Sequence, residues 1–231
     1  MGRNLLDLHT HLRQSKPQAT NSATIAIYNL TSQELSAGSY DNNICFSAGI
    51  HPWYLLPTTM DVQLAMIKEF SRNTRVKLIG ECGLDKLKGP ELEIQEAALV
   101  KQISMANEVG KPLLIHCVRA YDELIKIRKT VDITVPAVIH GFNNSPELAA
   151  DLIRHGFLLS FGEALLKENS QAARSFVQTF KNGDPVFLET DGSACSIEDI
   201  YLQASYLLKV STEQLKDAIF ASWKSIGIYH D

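Results

Sequence analysis

Eight short aliphatic or β-branched runs recur along the chain, at residues 5–6, 24–28, 44–48, 76–79, 112–115, 135–139, 157–160 and 186–188. Their near-continuous apolar character belongs to strands covered on both faces, as in a parallel sheet, because a half-solvated antiparallel strand alternates apolar and polar residues. Between most of them the spacing predicts helices, at 61–70, 91–109, 121–129, 146–154 and 172–181. Ser145 before Pro146 and Glu147 reads as an N-cap with proline at the first helical position, and Ser211 with Gln214 has capping-box spacing. The apolar stripes of Leu99, Ile103 and Ala106, and of Leu148, Leu152 and Phe157, are the faces that pack against the sheet.

Strand and helix alternation over eight strands predicts one (β/α)8 barrel spanning residues 1–231, with an open doubly wound sheet as the other architecture of this pattern. No Gly/Ser linker, low-complexity tract or internal repeat marks a second domain. Residues 13–23, after the first strand, are polar and lack helical spacing, so the first crossover is expected to be trimmed. The balance of 22 basic and 26 acidic residues, net −4, excludes the basic footprint of a protein that coats nucleic acid. Four cysteines, Cys45, Cys82, Cys117 and Cys195, show no C-x-x-C spacing and are expected to be reduced in a cytoplasmic protein. The N-terminus reaches Asp7 before any long apolar run, unlike a secretory signal, and no stretch has the length a membrane span requires.

The chemistry lies where the apolar runs end. The first is followed by Asp7-Leu8-His9-Thr10-His11, the third by Gly49-Ile50-His51-Pro52, and the fourth by Gly80-Glu81-Cys82-Gly83-Leu84-Asp85. The fifth is followed by His116, the sixth by His140 and the eighth by Glu189-Thr190-Asp191. In barrel enzymes these C-terminal strand ends gather the catalytic groups. On a strand, residues i and i+2 share a face, so His9 and His11 can converge on one ion. A lone His-x-His, or a lone His116 or His140, is more often a buried, hydrogen-bonded imidazole. Glu81 and Asp191 are harder to explain that way, because an unpaired buried carboxylate is costly. Four imidazoles and two carboxylates together point to a metal centre. Cys82 and Cys117 adjoin these positions but face the opposite way along a strand, as packing residues.

D-L-H-T-H at 7–11, G-I-H-P at 49–52, G-E-C-G-L-D at 80–85, L-I-H at 114–116, I-H-G-F at 139–142 and E-T-D at 189–191 occur in one order over nearly the whole chain. In these landmarks the sequence resembles the TatD-type metal-dependent hydrolases of the amidohydrolase superfamily. The resemblance implies a barrel, one to three divalent ions (zinc, manganese or magnesium), and hydrolysis, most often of phosphodiesters in DNA. It also implies that His9 and His11 bind one ion with Asp191, that His116 and His140 bind a second, and that Glu81 bridges them. His51 would contact a substrate phosphate, and Asp191 would orient or deprotonate the attacking water.

The chain departs from the family pattern around this face. The arginine after His116 comes one residue late, as Arg119, and Lys86 replaces an aromatic. Gly192-Ser193-Ala194-Cys195 leads almost directly into a helix beginning near Ile197, in place of a long loop. Cations expected on the face, for gripping a polyanion or as a solvated rim, are Arg13, Lys16, Lys86, Lys88, Arg119 and Lys167, with Arg119 and Lys86 the candidate substrate contacts. Trp53 and Tyr54 are placed to stack on a base or to pack over the barrel edge, and Asn143 and Asn144 to contact substrate or to form a turn. The expected activity is therefore a metal-dependent hydrolase, foremost a deoxyribonuclease of a monomeric, non-membrane chain. The alternatives are an ester or amide hydrolase, for example one deacylating aminoacyl-tRNA, and a non-catalytic metal-binding barrel.

Overall fold

In the computed structural model, residues 3–11, 24–31, 34 and 44–228 are described. The expected features at 13–23, including Arg13 and Lys16, lie outside them. Eight strands follow in chain order, β1 Leu5–His11, β2 Thr24–Leu30, β3 Cys45–Ala48, β4 Val76–Asp85, β5 Leu113–Val118, β6 Ala137–Ile139, β7 Leu158–Phe161 and β8 Val186–Leu188. They alternate with α1 Met60–Ser71, α2 Leu92–Val109, α3 Tyr121–Thr130, α4 Pro146–Arg154, α5 Gln171–Lys181, α6 Ile197–Leu208 and α7 Thr212–Ser225. This is the element order of a (β/α)8 barrel. Among the described residues no helix is long and apolar enough to cross a membrane.

The chain divides into two compact units, one of Met1–Ile27 with His140–Asp231, the other of Tyr28–Ile139. In the second unit β3, β4, β5 and β6 pair in parallel. β4 is buried along almost all of its length, as the run of apolar residues requires. Its register slips between Ile79 and Cys82, and the Gly80–Glu81 peptide is cis. Gly83, at φ +147°, pairs with His116 so closely that a Cβ there would stand 1.9 Å from the His116 carbonyl oxygen. Leu99, Ile103 and Ala106 of α2 are fully buried.

In the first unit β7 and β8 pair in parallel. Phe161 stands between Phe142 and Phe176, with ring centroids 5.9 and 5.3 Å away, in edge-on geometry. The buried Tyr201 hydroxyl of α6 meets both the Leu6 amide (3.1 Å) and the Leu6 carbonyl (3.2 Å), tying helix to strand. The helix starts read from sequence are as expected. Ser145 accepts from the Leu148 amide with Pro146 at the first turn, and Ser211 with Gln214 closes a capping box. Ser196 and Asp199 form a second box that starts α6 at Ile197.

Four strands run past their apolar cores, β2 to Leu30, β5 through His116 to Val118, and β1 and β4 further still. β1 runs on through Asp7, His9 and His11, and β4 runs on through Glu81 to Asp85, so these groups sit within strands and not after them. Polar side chains that face a site do not interrupt the backbone ladder, which is why apolar runs alone end too early.

Candidate metal centre

In the first unit, His9 and His11 lie two apart on β1, and both converge on one oxygen. Asp191 Oδ1 is 3.2 Å from His9 Nε2 and 3.3 Å from His11 Nε2. The His9 ring is fully buried and lies 4.9 Å from His11 and 4.7 Å from His140, centroid to centroid. Three imidazoles this close would repel one another as cations, whereas as neutral rings they offer a ligand set. Burial alone would raise the Asp191 carboxyl, but hydrogen bonds from His11 and His9 outweigh it and hold the group well below the ordinary carboxylate range. Its backbone is left-handed, φ 45°, a conformation that costs a non-glycine residue about 1 kcal/mol or more and that here aims the side chain at the histidines.

Behind Asp191, β8 is fastened to β1. The Thr190 amide donates to Asp7 Oδ1 at 3.0 Å and the Thr190 hydroxyl to Asp7 Oδ2 at 2.7 Å. Burial pushes the Asp7 carboxyl up to about 7. Glu189 is fully buried, and its Oε1 accepts from the Gly141 amide at 2.6 Å and faces His140 Nδ1 at 3.4 Å. Its Oε2 has no hydrogen-bond partner among the described residues. Glu189 and Asp191 line a cavity of about 440 Å³ together with Gly141, Asn143, Lys167 and Ser193.

In the second unit, Glu81 is buried on β4. Asn29 fixes it twice, donating from Nδ2 to Glu81 Oε2 (3.0 Å) and accepting the Glu81 amide on Oδ1 (3.1 Å), while Ser47 donates to the same Oδ1. Glu81 Oε1 faces His51 Nε2 at 3.7 Å and His116 Nδ1 at 4.0 Å. Asp85, on the same strand, meets His116 Nε2 at 3.1 Å and the Trp53 indole N–H at 2.6 Å. Burial opposes ionisation of Asp85, but hydrogen bonds from Trp53, Leu87 and His116 prevail and hold its carboxyl below the usual value. Two glutamines on one face of α2 brace this region. Gln95 clasps the Asp85 backbone, and Gln102 clasps Ile50, its Oε1 accepting the Ile50 amide at 2.7 Å just before His51.

Each unit thus brings imidazoles and carboxylates into a set able to hold a cation: His140, Glu189 and Asp191 in one, His51, Glu81 and His116 in the other. A divalent ion fits the chemistry of these donors, and the unpartnered Glu189 Oε2, buried beside His140, is the kind of oxygen that a nearby cation stabilises. Of the candidate cations, Lys86 pairs with Glu123 at 2.7 Å, Lys88 lies 3.7 Å over the Trp53 ring, and Arg119 is exposed with left-handed backbone, φ 55°. Cys82 and Cys117 are buried, as read from strand alternation. The sequence reading assigned no role to Asp85, Glu189, Asn29, Gln95 or Gln102. Asp85 and Glu189 sat inside the quoted landmarks, and the seven-residue spacing of the glutamines on a helix was a usable signal, but nothing marked Asn29.

Comparison with known proteins agrees with this architecture. A family model described as TatD related DNase matches residues 6–196. The metal-dependent hydrolase YabD of Bacillus subtilis is 34% identical over 146 residues, 62% of this chain and 56% of that protein. A protein of Enterobacter lignolyticus named 3'-5' ssDNA/RNA exonuclease TatD is 28% identical over 150 residues, 64% of this chain and 57% of its own length. The matched stretch therefore spans little more than half of these relatives. The crystal structure of YjjV, a TatD homologue from Escherichia coli, shares the fold with a TM-score of 0.71 at 19% identity, covering 87% of this chain and 85% of that one.

Proposed function

The chain belongs to the TatD related DNase family, and on that premise we propose that it is a metal-dependent hydrolase of phosphodiesters, cutting at single-stranded nucleic-acid ends. The observation that carries this reading is the convergence of His9 Nε2 and His11 Nε2 on the single oxygen Asp191 Oδ1. His9, His11 and Asp191 would hold one divalent ion in the first unit, and His116 with Glu81 would hold another in the second. Zinc, manganese or magnesium bound there supplies Lewis acidity towards water and the phosphoryl oxygens.

The remaining steps belong to the chain's own groups. Asp191, kept ionised by its two histidines, is placed to orient the attacking water. His51 takes a backbone N–H on Nδ1, so its own proton is on Nε2, where it can donate to a phosphate oxygen. Arg119 is the exposed cation for the next phosphate along the strand. Lys86, tied to Glu123, reaches substrate only by giving up that ion pair. The name carried by the Enterobacter relative supports a 3'-5' direction on single strands.

The test is cleavage of a short single-stranded oligonucleotide by the purified chain with manganese, magnesium or zinc. Metal-dependent shortening that Glu81→Ala abolishes is expected. Absence of cleavage with every ion and every nucleic acid overturns the nuclease reading, and turnover of simple esters or lactones alone would move the activity to carboxyl chemistry.

A further inference from the structure

Two histidines stand side by side in the second unit, His51 and His116, with ring centroids 4.4 Å apart and both turned towards Glu81 Oε1. They do not present the same atom. His51 shows its Nε2, because its Nδ1 accepts the Trp53 amide at 3.1 Å. His116 shows its Nδ1, because its Nε2 is turned to Asp85 Oδ2.

The other partners of Asp85 fix the direction of that last hydrogen bond. Its Oδ1 takes the Leu87 and Lys88 amides at 2.8 and 3.2 Å, and its Oδ2 takes the Trp53 indole N–H at 2.6 Å. All three are groups that can only donate. A carboxylate ringed by donors has no proton to give, so the proton between Asp85 and His116 resides on His116 Nε2. As neutral rings both are then the same Nε2–H tautomer turned opposite ways: His51 offers a donor to the site, and His116 offers a lone pair. Trp53 serves both, its amide on His51 and its indole on Asp85.

We propose that Asp85, anchored by Trp53, is a positioning residue that fixes His116 as an Nδ1 ligand while its neighbour His51 is kept as an Nε2–H donor. Carboxylate partners of metal-binding histidines commonly act in this way, and their loss costs about 10- to 100-fold in metal affinity. An amide at residue 85 cannot reproduce the carboxylate, since it has one acceptor face and one donor face. With its oxygen on the Leu87 and Lys88 amides, its NH2 would point at His116 Nε2 and drive the proton to Nδ1, blocking the ligand atom.

The proposal rests on the metal-dependent reading for the use of His116, but its test is separate. In metal-free wild-type protein, long-range proton–nitrogen NMR of 15N-histidine should find both His51 and His116 as Nε2–H tautomers. Asp85→Asn should move His116 towards Nδ1–H, leave His51 unchanged, and weaken Zn²⁺ binding by about 10- to 100-fold in calorimetric titration. Trp53→Phe keeps the backbone N–H to His51 and removes the indole N–H to Asp85, so it should shift the tautomer of His116 and leave that of His51, although the ring also packs against His51. A wild-type His116 in the Nδ1–H form overturns the proposal, and so does a folded Asp85→Asn protein with unchanged tautomer and Zn²⁺ affinity. A wild-type chain that binds no Zn²⁺ or Mn²⁺ overturns the hydrolase reading instead, while the tautomer of His116 is still read in the metal-free protein.

Discussion

Gln95 holds Asp85 by the backbone: its Oε1 accepts the Asp85 amide at 2.7 Å and its Nε2 donates to the Asp85 carbonyl at 3.0 Å. Gln95 is itself buried, so both contacts are made away from water. Replacing it by leucine keeps the volume but removes the partner of the Asp85 amide and of the Asp85, Lys88 and Pro90 carbonyls, and a buried backbone group left unpaired costs about 1–3 kcal/mol. Gln95→Leu should therefore lower the urea midpoint by a clear margin and broaden the His116 resonances. A midpoint equal to wild type would mean that water or another side chain takes over the clasp.

The fold was legible because a parallel sheet leaves an unusual trace. All eight apolar runs became strands, and Ser145 and Ser211 capped the helices expected of them. The strand ends were less legible: His9, His11 and Glu81 lie inside strands, where the backbone ladder continues under side chains that a hydropathy pattern reads as polar. At the site, the landmark residues were visible by type, and the groups that orient them were not. A buried glutamine on a helix face looks like a solvated one until the strand it clasps is known, and Asn29 reaches Glu81 across 52 residues of sequence. Long-range polar pairing of this kind has no local period to announce it.

Metal binding should be visible as stability. An ion that binds only the folded chain stabilises it by about 2.7 kcal/mol at a concentration one hundred times its Kd. Addition of Mn²⁺ or Zn²⁺ to chelator-treated protein should raise Tm, and EDTA should reverse the rise. Glu81→Ala and His9→Ala should each blunt the shift. An unchanged Tm across zinc, manganese and magnesium would remove the ion from the proposed chemistry.

The cysteines should separate into two classes. Burial pushes the thiols of Cys82 and Cys117 up to about 12, so almost no thiolate is present at pH 8. Cys45 and Cys195 are free and only partly buried. Titration of the native protein at pH 8 with a disulfide reagent should show two thiols reacting readily, and the other two only after denaturant is added. Rapid reaction of all four would mean that β4 and β5 open on the timescale of the assay.

Gly83→Ala tests how closely β4 and β5 must approach to set His116. A Cβ at this position would meet the His116 carbonyl oxygen at 1.9 Å and its backbone nitrogen at 2.9 Å, so the strands must part at the residue whose ring Asp85 orients. Gly110, at the C-terminal end of α2, is the control: it also has positive φ, 68°, but a Cβ there meets nothing within 4 Å. Gly110→Ala should cost only the backbone preference, about 1 kcal/mol. Gly83→Ala adds displacement of a buried strand and should lose at least about 1–3 kcal/mol more, together with Zn²⁺ affinity. Equal urea midpoints for the two variants would assign the whole cost to backbone conformation and free the β4–β5 approach from any part in placing His116.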